Sequence, residues 1–339
     1  MIKKKYQSIA NYLNNKYNYN LNNFIKRKVL KNPYSFEREL INKNLINFFF
    51  PKTKKKITIY SVDLFSFDSH KKWLKNKLKN KFIIKFYKNN PDYLIYNVFG
   101  NNHLNSKYNN SIKIAIFTEN KIPDFNEADY AISHYHINYL DRSFKYSIFF
   151  WRNLNNTYYN IVRNKAINNP KKEKFCAAII SNNISTDGFR VKFINELNKY
   201  KKVDMGGKYN NNIGGQVTNK INFLESYKFS IAMENSEGNG YISEKIVDSF
   251  LSGTIPIYYG DYMIDEYINP KTYILIKGEK DMFNKIEYIK KIDNDENLYK
   301  SLLKEKVLLD DNIKIKNDNE LKDFLYHIFE QNKSKAYRK

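Results

Sequence analysis

FSIAMENSEGNGYISEKIVDSFLSGTIPIYYG, residues 229–260, holds the clearest alternation of apolar runs and polar loop in the chain. Residues 229–233 form a short apolar run of the length of a buried strand. Glu234 to Gly240 follow as a polar loop that no core would want. Ser243 is a candidate N-cap, and Ile246, Val247, Phe250 and Leu251 recur at helical spacing, giving the next segment one apolar face. Gly253 stands where a helix would end, and residues 254–259 are again apolar and β-rich. Strand, crossover helix and strand make a βαβ unit, and the loop at the carboxyl end of its first strand is where such a unit holds a ligand.

Working outward, the pattern recurs on both sides. Strands are predicted at 57–62, 82–87, 93–98, 112–117 and 130–133, with a helix through Trp73, Leu74 and Leu78. After residue 155 it restarts. A strand at 175–180 precedes a helix whose Phe189, Phe193, Leu197 and Tyr200 share one face. Residues 203–205 form a short strand, 221–227 a helix, and 273–276 another strand. Helices through Ile286, Ile289 and Leu302, Leu303 complete this half. Strands alternating with helices predict an α/β chain of two domains, 55–155 and 156–310, with a ligand in the cleft between them. Residues 1–54 read as a basic N-terminal extension, and 311–339 as a basic amphipathic tail marked by Leu321, Phe324, Leu325, Ile328 and Phe329.

Composition sets the outer limits. At 339 residues the chain has room for two cores, at roughly 150 residues per domain. The net charge of +23 is nearly all lysine, arginine occurring only at Arg27, Arg38, Arg142, Arg152, Arg163, Arg190 and Arg338. With 29 Tyr, 24 Phe and abundant Asn and Ile, this fits the coding bias of an AT-rich genome as well as it fits a specific anionic partner. Nucleic-acid readers favour arginine for bidentate contacts, so no nucleic-acid partner is expected. Cys176 is the one cysteine, which excludes a disulfide framework and a cysteine-based metal site. The N-terminus has no apolar h-region, and no apolar run approaches the roughly 20 residues a membrane span needs. The expectation is a cytoplasmic protein, with peripheral contact to an anionic membrane as one use of its charge.

Chemistry concentrates at Asn235, Tyr241, Glu244 and Lys245. Glu244 and Lys245 fall in a first helical turn about 100° apart, so they address different groups. The free N–H groups of that turn and the helix dipole would form an anion site beside Lys245, while Glu244 would accept from a ribose diol. That set suits a nucleoside diphosphate. One glycine-rich loop does not decide between this and a plainer reading, in which Glu244 suits the positive end of the dipole and Lys245 is solvated.

Residues 227–261, YKFSIAMENSEGNGYISEKIVDSFLSGTIPIYYGD, closely resemble the donor-binding motif of the α1,3/4-fucosyltransferases, glycosyltransferase family 10. IFTENKIPDFNEADYAIS, residues 116–133, resembles the family's N-domain segment, with Asp141-Arg142 following. FCAAIISNN and GFRVKFINEL resemble the strand and arginine-bearing helix of its donor domain. The resemblance covers roughly residues 57–305. It implies a GT-B fold, two Rossmann-like α/β domains facing each other across a cleft, and inverting transfer of L-fucose from GDP-fucose in α1,3 linkage to a GlcNAc-type residue of a glycan acceptor. Carried over by residue, it implies Glu119 as the general base and Arg190 and Lys245 as diphosphate ligands. It also implies Asn235 and Tyr241 on the phosphate side and Glu244 on the ribose, with no metal or other cofactor. Two features depart from the family: SVDLFSFDSH stands where a tryptophan-rich segment is usual, and no tandem heptad repeats follow the domain.

Other signals carry less. His134 and His136, at strand spacing, lack a third metal ligand. Asp293-Asn294-Asp295 lies between polar helices, where a loop cap is expected rather than a metal. A different GDP-sugar or acceptor on the same fold, or a basic protein binding nucleic acid or anionic membrane, are the competing readings.

Overall fold

The computed structural model describes residues 54–64, 66–152, 154–168, 172–181, 188–236 and 238–331. The expected N-terminal extension, apart from Lys54, and the basic end 332–339 lie outside the described residues. Among the described residues, 57–78 and 84–331 belong to one compact unit, and 54–56 with 79–83 to another.

The first half of the chain builds β1 (Lys55–Val62), α1 (Phe67–Leu78), β2 (Phe82–Phe86), β3 (Tyr93–Tyr96), β4 (Ile112–Ile116), β5 (Tyr130–Ser133) and β6 (Ser143–Lys145). Its sheet runs in the order β2-β1-β3-β4-β5-β6. The pairs β1–β3, β3–β4, β4–β5 and β5–β6 are parallel. Strands β3, β4 and β5 are buried at every position, as central strands covered on both faces must be.

After α2 (Asn156–Ile167) the second half repeats the scheme. It contains β7 (Lys174–Ala178), α3 (Phe189–Asn198), β8 (Val203–Met205), α4 (Lys220–Leu224), β9 (Tyr227–Met233), α5 (Glu244–Leu251), β10 (Ile255–Tyr259), β11 (Ile274–Leu275), α6 (Glu279–Asn294) and α7 (Glu296–Lys304). Its sheet order is β11-β10-β9-β7-β8, again parallel throughout. In both sheets the chain adds a strand on one side and then crosses back to the other. The switch points therefore fall at β1/β3 and at β7/β9, and crevices at the carboxyl ends of such positions are where open α/β sheets bind ligands.

Several elements differ from the sequence expectation. The helix expected over 221–227 ends at Leu224, and Tyr227 already belongs to β9. Tyr227 donates from its hydroxyl to Asp204 at 2.8 Å, which holds that strand start against β8. Helix α2 and strand β6 were not expected. The inward face of α2 is Asn156, Tyr159, Arg163 and Ala166. The spacing is helical, but polar and charged residues occupy the stripe, so no hydrophobic period betrays it. Arg163 is fully buried and donates from Nε to the Leu303 carbonyl at 3.0 Å, with Nη2 on the Leu302 carbonyl, closing the C-terminal end of α7. Within the 293–295 triplet, Asp295 does cap α7 by accepting from Leu298 N at 2.9 Å. Asp293 instead lies inside α6, buried against Lys201, Lys228 and Tyr200.

The apolar face read in residues 311–339 belongs to α8 (Ile313–Glu330), which returns to the first sheet. Leu321, Leu325, Ile328 and Phe329 are buried there. The Tyr93 hydroxyl donates to the Phe329 carbonyl at 3.4 Å, and the Tyr146 hydroxyl to Asp318 at 2.6 Å. That face is covered by protein and is not presented to a lipid surface. No helix among the described residues is long and apolar enough to cross a membrane.

Candidate active site

The loop after β9 enters the second sheet's switch point, and its first residue corrects the sequence reading. Glu234 is fully buried, not an exposed loop residue. Its carboxylate accepts from Ser243 N at 2.8 Å, Ser243 Oγ at 2.8 Å and Lys245 Nζ at 2.6 Å. A buried carboxylate is tolerated only when so many donors meet it. The Ser243 hydroxyl in turn accepts from Lys245 N at 3.4 Å and from Lys245 Nζ at 3.1 Å. The first-turn N–H groups expected to await an anion are thus partly engaged by side chains of the same loop. The cationic character of the site rests on Lys245 and Arg190 more than on the helix N-terminus.

Around this clamp the six expected residues meet. A cavity of about 200 Å³ is lined by Glu119, Arg190, Asn235, Tyr241, Glu244 and Lys245, with Thr118, Ile148 and Lys220 among its other walls. Glu119 comes from the loop after β4 of the first sheet, and the other five from the second half. Arg190, in the first turn of α3 behind Gly188 (φ +67), is buried and donates from Nη1 to Asn235 Oδ1 at 2.6 Å. Tyr241 is buried with its ring edge-on to His134, the centroids 4.8 Å apart.

The electrostatics separate the two glutamates. Glu119 is open to solvent at the cavity mouth, yet partial desolvation raises its pKa. Lys245 pulls it down, and the neighbouring Glu244 and Glu234 push it up again. Burial acts in the same direction on Glu244, but Lys245, its own backbone N–H, Lys220 and Arg152 outweigh it and hold its carboxyl below the ordinary value. The first is thereby suited to take a proton and the second to stay ionised and accept hydrogen bonds.

The glycines of the loop serve the approach of the two halves. Gly240 has φ +89, and a Cβ there would lie 2.1 Å from the His134 carbonyl oxygen. A Cβ on Gly238 would lie 2.5 Å from Asn120 Oδ1. The Gly240 carbonyl accepts from Ser147 Oγ at 2.6 Å, its N–H donates to Asp261 at 2.7 Å, and Asn120 donates to Ser236. His134 and His136 do not share a strand face. β5 ends at Ser133, His134 is buried with Nε2 2.9 Å from the Thr118 carbonyl, and His136 is exposed. Burial lowers the His134 pKa to about 4, so the ring is neutral. No group of metal-ligating side chains occurs among the described residues. Glu234, Asp261 and Ser147 are buried polar residues here that sequence reasoning missed, and His134, considered there only as a metal ligand, is buried against the loop. A Glu placed directly at a strand end and nine residues before a helix N-cap was the available signal for Glu234.

Two parallel sheets whose carboxyl ends share a cavity are the GT-B architecture. A solved structure described as "Crystal Structure of alpha1,3-Fucosyltransferase" superimposes with TM-score 0.70 and 25% identity, covering 85% of this chain and 93% of that one. Family models place the sequence. The alpha-(1,3)-fucosyltransferase FucT N-terminal domain matches residues 59–151, and the glycosyltransferase family 10 (fucosyltransferase) C-terminal model matches residues 169–323. The chain belongs to glycosyltransferase family 10. Among its relatives, "Alpha-(1,3)-fucosyltransferase FucT" of Helicobacter pylori is 32% identical over 233 residues, 59% of this chain and 48% of the relative. "4-galactosyl-N-acetylglucosaminide 3-alpha-L-fucosyltransferase 9" of Bos taurus is 31% identical over 136 residues, 39% of this chain and 37% of the relative. The chain thus spans about half the length, or less, of these curated relatives.

Proposed function

We propose that this protein transfers L-fucose from GDP-fucose, with inversion and in α1,3 linkage, to a GlcNAc-type residue of a glycan. The observation that carries the reading is the single cavity in which Glu119 of the first half faces the cationic and carboxylate set of the second. The Glu119 carboxylate removes the proton from the attacking acceptor hydroxyl, and its raised pKa makes it a better base than an ordinary glutamate. The new bond forms at the anomeric carbon on the face opposite the breaking bond to the diphosphate, which is what inversion requires. Positive charge develops at that carbon, as in glycoside hydrolysis.

Arg190 and Lys245 then stabilise the charge gathering on the departing diphosphate without a metal. Lys245 is held by Glu234 and Ser243, which account for two of its three protons and leave one for phosphate. Glu244, kept ionised, accepts from the ribose hydroxyls. Asn235 orients Arg190, and Tyr241 closes the phosphate side. Cytoplasmic residence remains part of this reading. Membrane contact does too, although α8 no longer offers its apolar face for it.

Incubating the protein with GDP-fucose and N-acetyllactosamine, and following GDP release and product linkage by NMR, tests the proposal. Fucosylated product with inverted anomeric configuration is expected. Absence of turnover on any GlcNAc- or glucose-containing acceptor, together with absence of GDP binding, would overturn it.

A further inference from the structure

A general base must stand within hydrogen-bond reach of the hydroxyl it serves, and a misplacement of about 1 Å can cost 10²-fold in rate. The Glu119 side chain is exposed, and its carboxylate accepts no hydrogen bond among the described residues. With nothing bonded to the side chain, its placement is set by the backbone that carries it. The Glu119 carbonyl accepts from Lys121 N at 2.8 Å, closing a tight turn with Thr118 on one side of the base and Asn120 on the other.

Both neighbours are tied down, and both ties lead to the loop after β9. The Thr118 carbonyl can only accept, so His134 Nε2, 2.9 Å away, carries the ring proton and donates it. The other ring nitrogen, Nδ1, is buried with no hydrogen-bond partner among the described residues. A phenyl ring would fill the same space without that cost, so what the imidazole adds is the Nε2 donor. The ring also meets Tyr241 edge-on, and the His134 carbonyl lies where a Cβ on Gly240 would intrude. On the far side of the base, Asn120 donates from Nδ2 to Ser236 Oγ and accepts from the Tyr135 hydroxyl at 2.5 Å. Ser236 directly follows Asn235, which accepts from Arg190.

We infer that His134 and Asn120 are positioning residues that seat Glu119 on the donor loop, so that the loop holding the leaving group also sets the base. The inference rests on the transferase reading for its effect on turnover, and on these contacts alone for the placement. His134 acts through the Thr118 carbonyl and Asn120 through Ser236, and neither touches a reacting atom. Burial lowers the His134 pKa to about 4, so at neutral pH His134→Phe removes an N–H and no charge.

The test compares His134→Phe, His134→Gln and Asn120→Ala in the full chain by steady-state kinetics and calorimetric GDP titration. His134→Phe should lower kcat by about tenfold or more, with GDP affinity and the KM for GDP-fucose within about twofold of wild type. The glutamine amide again offers an N–H to the Thr118 carbonyl and should restore most of the loss. Asn120→Ala, in a half-buried loop position, should behave like His134→Phe and carries the test should the phenylalanine variant fail to fold. An undiminished kcat, a glutamine variant no better than phenylalanine, or GDP affinity falling in step with kcat would each overturn the inference. A carbon-13 NMR titration of the Glu119 carboxyl reads its placement without turnover. Partial desolvation raises that pKa, so a base released into water by His134→Phe or Asn120→Ala should titrate closer to an ordinary glutamate, while His134→Gln holds it up. An unmoved midpoint overturns the inference whether or not the protein transfers fucose. A moved midpoint in a protein that transfers to no acceptor would fault the transferase reading and leave the placement standing.

Discussion

The two switch points of this molecule are alike in topology and opposite in construction. At β7/β9 the polar groups are tied to one another. Glu234 gathers Ser243 and Lys245, Asn235 accepts from Arg190, and Gly240 is fastened through Asp261 and Ser147. At β1/β3 two exposed lysines, Lys88 and Lys107, and the Tyr60–Tyr108 stack border a larger volume. Glu119 belongs to the looser side, on a loop after β4 and open to solvent. Each construction matches the interaction needed on its side. A departing diphosphate requires charges fixed before reaction, because reorienting them during it would cost much of their benefit. An acceptor hydroxyl must instead arrive, be deprotonated and leave.

The comparison breaks most visibly at Glu119. Glu119→Gln should lower turnover by about 10²–10⁴-fold, the usual worth of a general base, while GDP titration shows little change. Turnover within tenfold of wild type would move the base elsewhere. Lys245→Ala should cost about 10²-fold in turnover and weaken GDP as well, since it removes a preorganised cation. Turnover that falls with GDP affinity intact would take Lys245 off the diphosphate. Gly240→Ala combines an unfavourable φ with a clash against backbone, so a loss of about 3 kcal/mol is expected in urea unfolding. A variant as stable as wild type would show that the two halves can separate at this contact without penalty. Glu234→Gln can still accept from Ser243 N but gives up one acceptor oxygen and the ion pair to Lys245, and about a tenfold rise in the KM for GDP-fucose is expected, with kcat changing less. An unchanged KM would make Glu234 a fold residue only.

The smallest effect is in pH. With the Glu119 pKa raised, the base is lost as pH falls through that value, so the acid limb of the kcat profile should lie above the ordinary glutamate midpoint of about 4.3. An acid limb at or below 4.3 contradicts the assignment. His134 adds a stability term in the same range. Its folded pKa of about 4 lies below the unfolded 6.5, so the unfolded chain binds more protons between those values. Stability from this group is complete above 6.5 and declines as pH falls towards 4. His70, also lowered by burial to about 4, contributes likewise, so comparison of wild type with His134→Gln at pH 7 and pH 5 isolates the loop's share.

Where apolar residues carry the period, the sequence was readable. Strands β1 to β5, β7 and β9 to β11 and the helix α5 follow from apolar runs and their spacing, and the positions of Glu119, Arg190 and the 235–245 group followed from the family motif. What escaped was polar burial. Arg163 and Asn156 occupy the inner stripe of α2, Glu234 sits beneath the donor loop, and His134 meets Gly240 across it. Each is stabilised by partners from elsewhere in the chain. Arg163 reaches carbonyls about 140 residues away, a contact that no local window contains. The β1/β3 cavity escaped for the same reason: Ser61, Lys88 and Lys107 become neighbours only once the sheet forms.

The return of α8 to the first sheet bears on how the chain reaches its native state. Tyr93 and Phe329 meet across 236 positions, and Tyr130 donates to Gln331 at 2.6 Å across 201. During synthesis the first half therefore waits, with the surface that α8 later covers still bare, until the second half has been made. Long-range closure of this kind slows folding, and the aromatic surface around Tyr93, Tyr130 and Phe144 is covered only once α8 docks. Helix α8 thus ties the end of the described chain to the first half, rather than serving as an appendage to the second.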